Sequence, residues 1–230
     1  MVKKCVVNHA RGSWYPEGQV RLKESFVEKG YDGEFLFSTN ESDIGCPTHQ
    51  DVPYAFKAYL LKQAMEMGLE YVFWCDSAVY LMGPLEKLYE ALEKDGYILV
   101  LNGWNTGTWC SDAALKTLEI TREEAFNMPH IMANMMGFDL RREECREFVR
   151  QYYEKANDGV TFKGSWHNRN GEVSSDKRVL GHRHDQTAAS VIAWKLGMRN
   201  WKKDWTVYSP FAEYPPCMFR THPPGKERKT

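Results

Sequence analysis

Residues 181–186 read Gly181-His182-Arg183-His184-Asp185-Gln186: two imidazoles, a guanidinium, a carboxylate and a carboxamide in one run. The run opens a stretch with the spacing of an amphipathic helix. Its polar groups therefore sit at the positive end of a helix dipole, where an anion or a charged transition state is stabilised. Zinc is one chemistry that fits, since it takes His, Cys and carboxylate ligands converging on one point. His182 and His184 share a face if the run is a strand and diverge if it is a helix. An anionic ligand held at the helix start is a second. The plain alternative is a helix cap at His184 or Asp185 beside a solvated Arg183.

Four further groups invite chemistry. Asp76 follows the apolar run Tyr71-Val72-Phe73-Trp74-Cys75. In an open α/β sheet, ligands bind beyond the carboxyl ends of the strands, so a carboxylate there meets a ligand or metal unless it only caps a turn. His222-Pro223-Pro224-Gly225-Lys226 offers an imidazole for a divalent metal, and a Gly-Lys pair that lets backbone and ammonium approach a phosphate; alone it reads equally as a basic tail. Lys57 lies one turn into a helix, where most lysines are solvated. The aromatic segment from Trp104 to Trp109 offers rings for stacking on a sugar or base, or a buried loop.

The elements that must position these groups are legible from periodicity and punctuation. Strands are expected at 5–7, 34–38, 71–75, 97–101 and 132–140, and helices at 20–29, 54–67, 84–94, 112–118, 141–156 and 185–196. Thr121-Arg122-Glu123-Glu124 is a capping box for one more helix. Strands and helices alternate through the first hundred residues, the pattern of an α/β domain with a mostly parallel central sheet. Residues 157–180 form a long polar loop containing Trp166, and loops of that length are usually functional or mobile. One domain is expected over 1–230, with a nucleotide-binding half (1–101), an acceptor-side half (102–214) and an extended tail (215–230).

The chain has 230 residues, 43% hydrophobic, with a net charge of −1, so no global positive field points to nucleic acid or an anionic membrane. Its six cysteines form no C-x-x-C pair, which disfavours a zinc ribbon or disulfide framework and favours reduced thiols. The apolar run near the start spans Cys5 to Val7 only, too short for a signal peptide, and no run approaches a membrane span. A cytoplasmic location is the expectation.

Taken in order, these segments resemble the GT-A glycosyltransferases, the glycogenin-like family 8 enzymes most of all. Those enzymes carry a strand ending in Asp-x-Asp, an Asn-x-Gly-x-x-x-Asp type segment, an Asp-Gln pair and a terminal His-x-x-Gly-x-x-Lys. Here the corresponding pieces are Asp76-Ser77-Ala78, Asn134 through Gly137 to Asp139, Asp185-Gln186, and His222 with Gly225-Lys226. The likeness implies a GT-A-like (Rossmann-like) fold and sugar transfer from a nucleotide diphosphate donor, a UDP-sugar, with retention of anomeric configuration. It implies that Asp76 meets metal or ribose, that His222 binds metal, and that Gly225 and Lys226 contact the diphosphate. Asp185 and Gln186 then lie beside the anomeric carbon, Lys57 reaches the donor, and Asn8 lies where uracil and ribose are held.

Two departures matter. The second aspartate of the first motif is Ala78, and Mn²⁺ or Mg²⁺ wants several oxygen ligands, so losing one carboxylate weakens the cation site or removes it. In the last motif Lys226 follows Gly225 directly, without the two residues the pattern has between them. With metal lost, Arg183 and Lys226 are the cations left for the leaving diphosphate, Arg183 joining the donor contacts. The acceptor, whether glycan, protein, small molecule or modified nucleobase, is expected under the 157–180 loop, near Trp104, Trp109, Trp166, His130 and His182. Two rival readings stay open: a nucleotide-sugar-binding protein that has lost catalysis, and a metal-dependent hydrolase built on His182, His184, Asp185 and His222.

Overall fold

The computed structural model describes residues 2–203, 205–208 and 218–221. Chain order begins β1 (Lys4–His9), α1 (Tyr15–Val27), β2 (Glu34–Ser38), α2 (Ala55–Glu66), β3 (Tyr71–Cys75), β4 (Val79–Leu81), α3 (Leu85–Asp95) and β5 (Tyr97–Asn105). It continues with α4 (Asp112–Thr117), α5 (Arg122–Asn127), β6 (Pro129–Asp139), α6 (Glu143–Asn157), α7 (His184–Lys195), β7 (Thr206–Tyr208) and β8 (Phe219–Thr221).

The five-stranded sheet has the order β2-β1-β3-β6-β5. β1 pairs in parallel with β2 and β3, and β6 runs antiparallel to both β3 and β5, so β6 is the single reversed strand of this sheet. The expectation of a mostly parallel sheet holds. The carboxyl ends of β1, β3 and β5 share one edge with the amino end of β6, because Cys75 pairs with Met135 while Tyr71 pairs with Asp139.

Side chains alternate across this sheet with period two. Val7, Val72, Trp74, Leu99 and Phe138 pack into the cluster that holds α2, α6 and α7. Val6, Phe73, Cys75, Ile98 and Met135 pack into the cluster that holds Leu22 and Phe26 of α1 and Leu85, Leu88 and Leu92 of α3. β3 is buried at all five positions, as its unbroken apolar run requires of a strand covered on both faces. Phe219 of β8 enters the second cluster, where β4, β8 and β7 form a small three-stranded sheet.

Several expectations are corrected. α1 begins at Tyr15 rather than residue 20, because Pro16 starts a first turn whose polar residues mask the apolar period. The strand expected at 97–101 continues to Asn105, and β6 starts at Pro129, since the two strands pair across register shifts that break the alternation. α7 is not amphipathic: Asp185, Thr187 to Ala193 and His184 are all buried, so the helix is enclosed rather than laid on a surface. The capping box of α5 is present, with the Thr121 hydroxyl and the Glu124 carboxylate bonding each other's backbone amide. The expected extended tail falls partly on β8, and the rest lies outside the described residues.

The 157–180 loop folds back on itself around Asn168. Its amide donates to the carbonyls of Ser174 and Val179, and its Oδ1 accepts from the amides of Val173 and Ser174. Gly181 allows the loop to reach α7, because a Cβ there would lie 2.0 Å from the Trp166 carbonyl oxygen. Gly181→Ala is therefore expected to lower stability by about 2 kcal/mol, the scale of an overpacked buried position. A thermal midpoint equal to that of the parent protein would contradict this close approach.

Candidate active site

The site forms where α2, β3, β6 and the start of α7 meet at the carboxyl edge of the sheet. The Nζ of Lys57 lies 3.1 Å from Asp76 Oδ1 and 2.9 Å from Asp185 Oδ2. It also donates to the Ala133 carbonyl at 2.7 Å. The ammonium thus has one hydrogen bond and two ion-pair contacts, the side chain is buried, and Asp185 Oδ2 meets it through charge rather than through a formed hydrogen bond. Burial opposes the charge, but the two carboxylates more than offset it and raise the Lys57 pKa above the ordinary lysine value. Tyr54 and Trp74 add their ring faces, 5.2 and 5.4 Å from the ammonium.

The two carboxylates differ. Asp185 is buried, and burial pushes its carboxyl up to about 6 even though Lys57 pulls the other way. Asp76 is about one third exposed. Its Oδ1 takes both Lys57 and the Trp74 indole N–H, the latter at 2.8 Å, while Oδ2 carries neither contact. The backbone beneath Asp76 is fixed by its own amide, which donates to the Asn134 carbonyl.

Asn8 ties the ends of β1 and β3 together. It donates to the Cys75 carbonyl at 2.6 Å and accepts from Gln19 and the Ser77 hydroxyl. On the other side, the orientation of Asn102 is set by the Trp104 amide, which donates to its Oδ1. Its amide group therefore donates to His130 Nδ1 at 2.6 Å and reaches Gln186 Oε1 at 3.5 Å. The Gln186 carbonyl oxygen is engaged by that contact, and its N–H₂ is the end left for a ligand oxygen.

Arg183 is the N-cap of α7. Its guanidinium carbon lies 3.6 Å from the ring centre of Trp109 and 3.8 Å from that of Trp166. It donates to the Trp166 carbonyl. His182 and His130 are fully buried. His182 accepts from the Ser111 amide and pairs with the Thr161 carbonyl, so both its ring nitrogens are used. His184 is not the cap: it stands in the first turn of α7 with φ 40°, a left-handed value, and its Nδ1 meets the Phe162 carbonyl. Burial lowers His130 to about 3, His182 to about 4 and His184 to about 3, so all three are neutral near pH 7. Tyr54, the residue before α2, is also left-handed at φ 63°, and its ring centre lies 5.8 Å from that of His184. Two strained residues thus flank the Lys57 cluster, a pattern common at functional sites.

The structure brings Asn8, Lys57, Asp76, Asp185 and Gln186 to one edge, and gathers Arg183, Trp109 and Trp166 beside them. Trp104 stands edge-on to Trp109, their centres 5.5 Å apart. Asp139, part of the Asn134–Asp139 segment, lies at the opposite end of β6, gripped by Arg141. His222, Gly225 and Lys226 lie outside the described residues. Sequence reasoning passed over Gln19, and gave Ser77 and Asn102, which lie in the Asp76–Ala78 and Asn102–Trp109 stretches, no role of their own. The only available signal for Asn102 was its place just past an apolar strand, the same signal that marked Asp76.

The donor set for a divalent cation is incomplete. Among the described residues no three His, Cys, Asp or Glu side chains converge as a metal site. Asp76 contributes one carboxylate whose Oδ1 is already bonded, and Ala78 has only its carbonyl, which accepts from Arg21. These residues do not by themselves match a hard cation that takes six or more oxygens.

No protein-family model and no curated protein matches the sequence. Among solved structures, the apo form of the bifunctional glycosyltransferase WbbM matches with a TM-score of 0.55 and 10% identity, over 96% of this chain and 45% of that one. The chain thus spans under half the length of WbbM. A glycosyltransferase involved in glycosylation of the major capsid of PBCV-1 matches at 0.52 and 13%, over 94% and 93% of the two chains. The galactosyltransferase LgtC, solved with donor and acceptor sugar analogues, matches at 0.51 and 10%, over 95% and 86%. These likenesses establish the fold, which is of the GT-A type.

Lys57→Met would strand a buried carboxylate, which costs about 3–5 kcal/mol. The loss is expected to be largest above pH 7 and to shrink toward pH 4. Asp185 has a folded pKa raised above its unfolded value, so its contribution is fully present below the unfolded pKa and is lost as pH rises through about 6. Without Lys57 that loss deepens. Urea unfolding of both proteins at pH 4.5 and 8 checks this, and a pH-independent difference would contradict it.

Proposed function

We propose that the chain is a glycosyltransferase that takes a sugar from a nucleotide diphosphate donor, a UDP-sugar, and passes it to an acceptor beneath the 157–180 loop. The observation that supports this most is the buried Asp76–Lys57–Asp185 cluster at the carboxyl edge of a GT-A-type sheet. Ligands of open α/β sheets bind at that edge.

In this reading the uracil and ribose lie over the latch formed by Asn8, Gln19 and Ser77, and the accessible side of Asp76 accepts from the ribose hydroxyls. Asp185 and Gln186 stand beside the anomeric carbon. The carboxylate of Asp185, held by Lys57, favours the positive charge that develops there, and the Gln186 N–H₂ donates to a sugar or leaving oxygen. Lys57 acts through the carboxylates, since its ammonium is buried behind them. Charge on the leaving diphosphate is met by Lys226 and the backbone at Gly225 rather than by Mn²⁺ or Mg²⁺. Retention at the anomeric carbon completes the proposal.

Ala78 gives specific support to one other reading, a nucleotide-sugar-binding protein without turnover. The hydrolase reading loses support because His182 spends both ring nitrogens within the fold.

A thermal-shift panel of UDP-, GDP-, TDP- and CMP-sugars, with and without Mn²⁺, tests the donor. A ligand that binds only the folded state raises the midpoint by mass action. The UDP-sugars are expected to give the largest shift, and a flat panel would overturn the reading. Turnover of the preferred donor is expected to survive EDTA and to fall on the order of 10²-fold in Asp185→Asn, the scale of one transition-state charge contact. Strict Mn²⁺ dependence would sink the metal-free version, and donor binding with neither hydrolysis nor transfer would favour the binding protein. Proton NMR of the first-formed product reads its anomeric configuration, and inversion would rule out the retaining step.

A further inference from the structure

Most arginines of this chain with a nearby acid use it. Arg122, Arg141, Arg146, Arg150 and Arg178 each reach an Asp or Glu. Arg183 does not. Its recorded partners among the described residues are the Trp109 and Trp166 rings and the Trp166 carbonyl. Two indole faces fix the guanidinium plane and strip its water from both sides. One N–H goes to a carbonyl, and among the described residues the other guanidinium donors have no hydrogen-bond partner.

The surroundings do not neutralise this cation. His130, His182 and His184 are held uncharged by burial, and Asp185 is committed to Lys57. Burial lowers Arg183 to about 10, which leaves it charged near pH 7. The loop that supplies Trp166 also carries exposed Lys163, His167 and Arg169, none of which joins an ion pair among the described residues. Two rings of the same wall are open: Trp104 is 52% exposed and Trp166 39%. A fixed guanidinium presents a fork that matches two oxygens of one anionic group, and an open indole face takes the C–H face of a sugar ring.

We propose that the acceptor is an acidic saccharide, its carboxylate or phosphate clamped by Arg183 and its ring set against Trp104 and Trp166. This rests on the glycosyl-transfer reading and gives its acceptor a chemical class. It also moves Arg183 from the donor contacts, where the sequence placed it, to the acceptor wall, since both of its clamping rings come from the acceptor-side half. A nucleic acid strand is disfavoured by the net charge of −1, which supplies no general attraction for a phosphate backbone.

Titrations followed by the ¹⁵N indole resonances of Trp104, Trp109 and Trp166 test this. The probes are methyl β-glucuronide, glucose 6-phosphate, neutral methyl β-glucoside and a thymidine decanucleotide. At least one acidic sugar is expected to bind tenfold or more tighter than the glucoside, and the tighter of the two identifies carboxylate or phosphate. In Arg183→Gln the acidic and neutral sugars are expected to bind within about twofold of each other. Arg183→Lys, which keeps the charge and loses the fork, is expected to keep less than half of the preference. Equal binding of acidic and neutral sugars by the parent protein would overturn the proposal even if the variants fail to fold. So would an intact preference in Arg183→Gln, the absence of any indole response, or tighter binding of the oligonucleotide than of either acidic sugar. A UDP titration of the same sample is read separately. No response to UDP alongside selective acidic-sugar binding would count against the donor reading and leave the anionic wall standing.

Discussion

A lysine without water dictates the arrangement of this protein's working edge. The Lys57 ammonium is enclosed among α2, β3, β6 and α7, and no solvent is available to carry its charge. Its charge must be met by oxygens at fixed places, and these come from three different elements: Asp76 after β3, Ala133 within β6 and Asp185 in the first turn of α7. A buried charge pair contributes little net stability over an apolar replacement, but breaking one is costly. The cluster therefore acts less as a source of stability than as a constraint on geometry. It forbids α7 from sliding along the sheet, because a shift of one turn would leave Asp185 and Lys57 buried apart.

The rest of the edge follows from that constraint. With Asp185 fixed, Gln186 lies against Asn102, and Arg183 emerges between Trp109 and Trp166. Ser190 on the same helix accepts the Ile131 amide of β6, a second pin between helix and sheet. Asn8 and Ser77 do for β1 and β3 what Lys57 does for β3 and α7. At this edge the Asp76 carboxylate is left partly open, and the Arg183 guanidinium has no acid partner among the described residues. A negative and a positive group thus stand at the ends of β3 and of α7, the first suited to the hydroxyls of a donor and the second to an acidic acceptor.

Much of this was legible in the sequence, for physical reasons that can be named. The all-apolar run of β3 could only be a strand covered on both sides, and Asp76 after it could only lie at a sheet edge. Pro53 and Gly68 bracketed α2 by their backbone preferences. What periodicity conceals is burial that depends on a partner far along the chain. A helix lysine reads as solvated, and only the fold brings residues 76 and 185 to it. The enclosed helix α7 was misread as amphipathic because Thr187 and Ser190 look polar, yet their hydroxyls are satisfied by the carbonyls of Trp109 and Gln186. The direction of β6 was equally hidden, since a strand's apolar pattern is the same read either way. The two histidines that suggested zinc are neutral packing groups, and the weight of residues 181–186 falls on Arg183, Asp185 and Gln186.

The central claim is that the opening framed by Asp76 and the start of α7 is where a nucleotide diphosphate sits. A crystal structure of the protein soaked with UDP tests it most directly. The account predicts ribose density against Asp76 at the carboxyl ends of β1 and β3, with the diphosphate running on from it toward the start of α7 and the Lys57 cluster unchanged beneath. Well-ordered UDP bound elsewhere, or bound only after Lys57 has left both carboxylates, would contradict it.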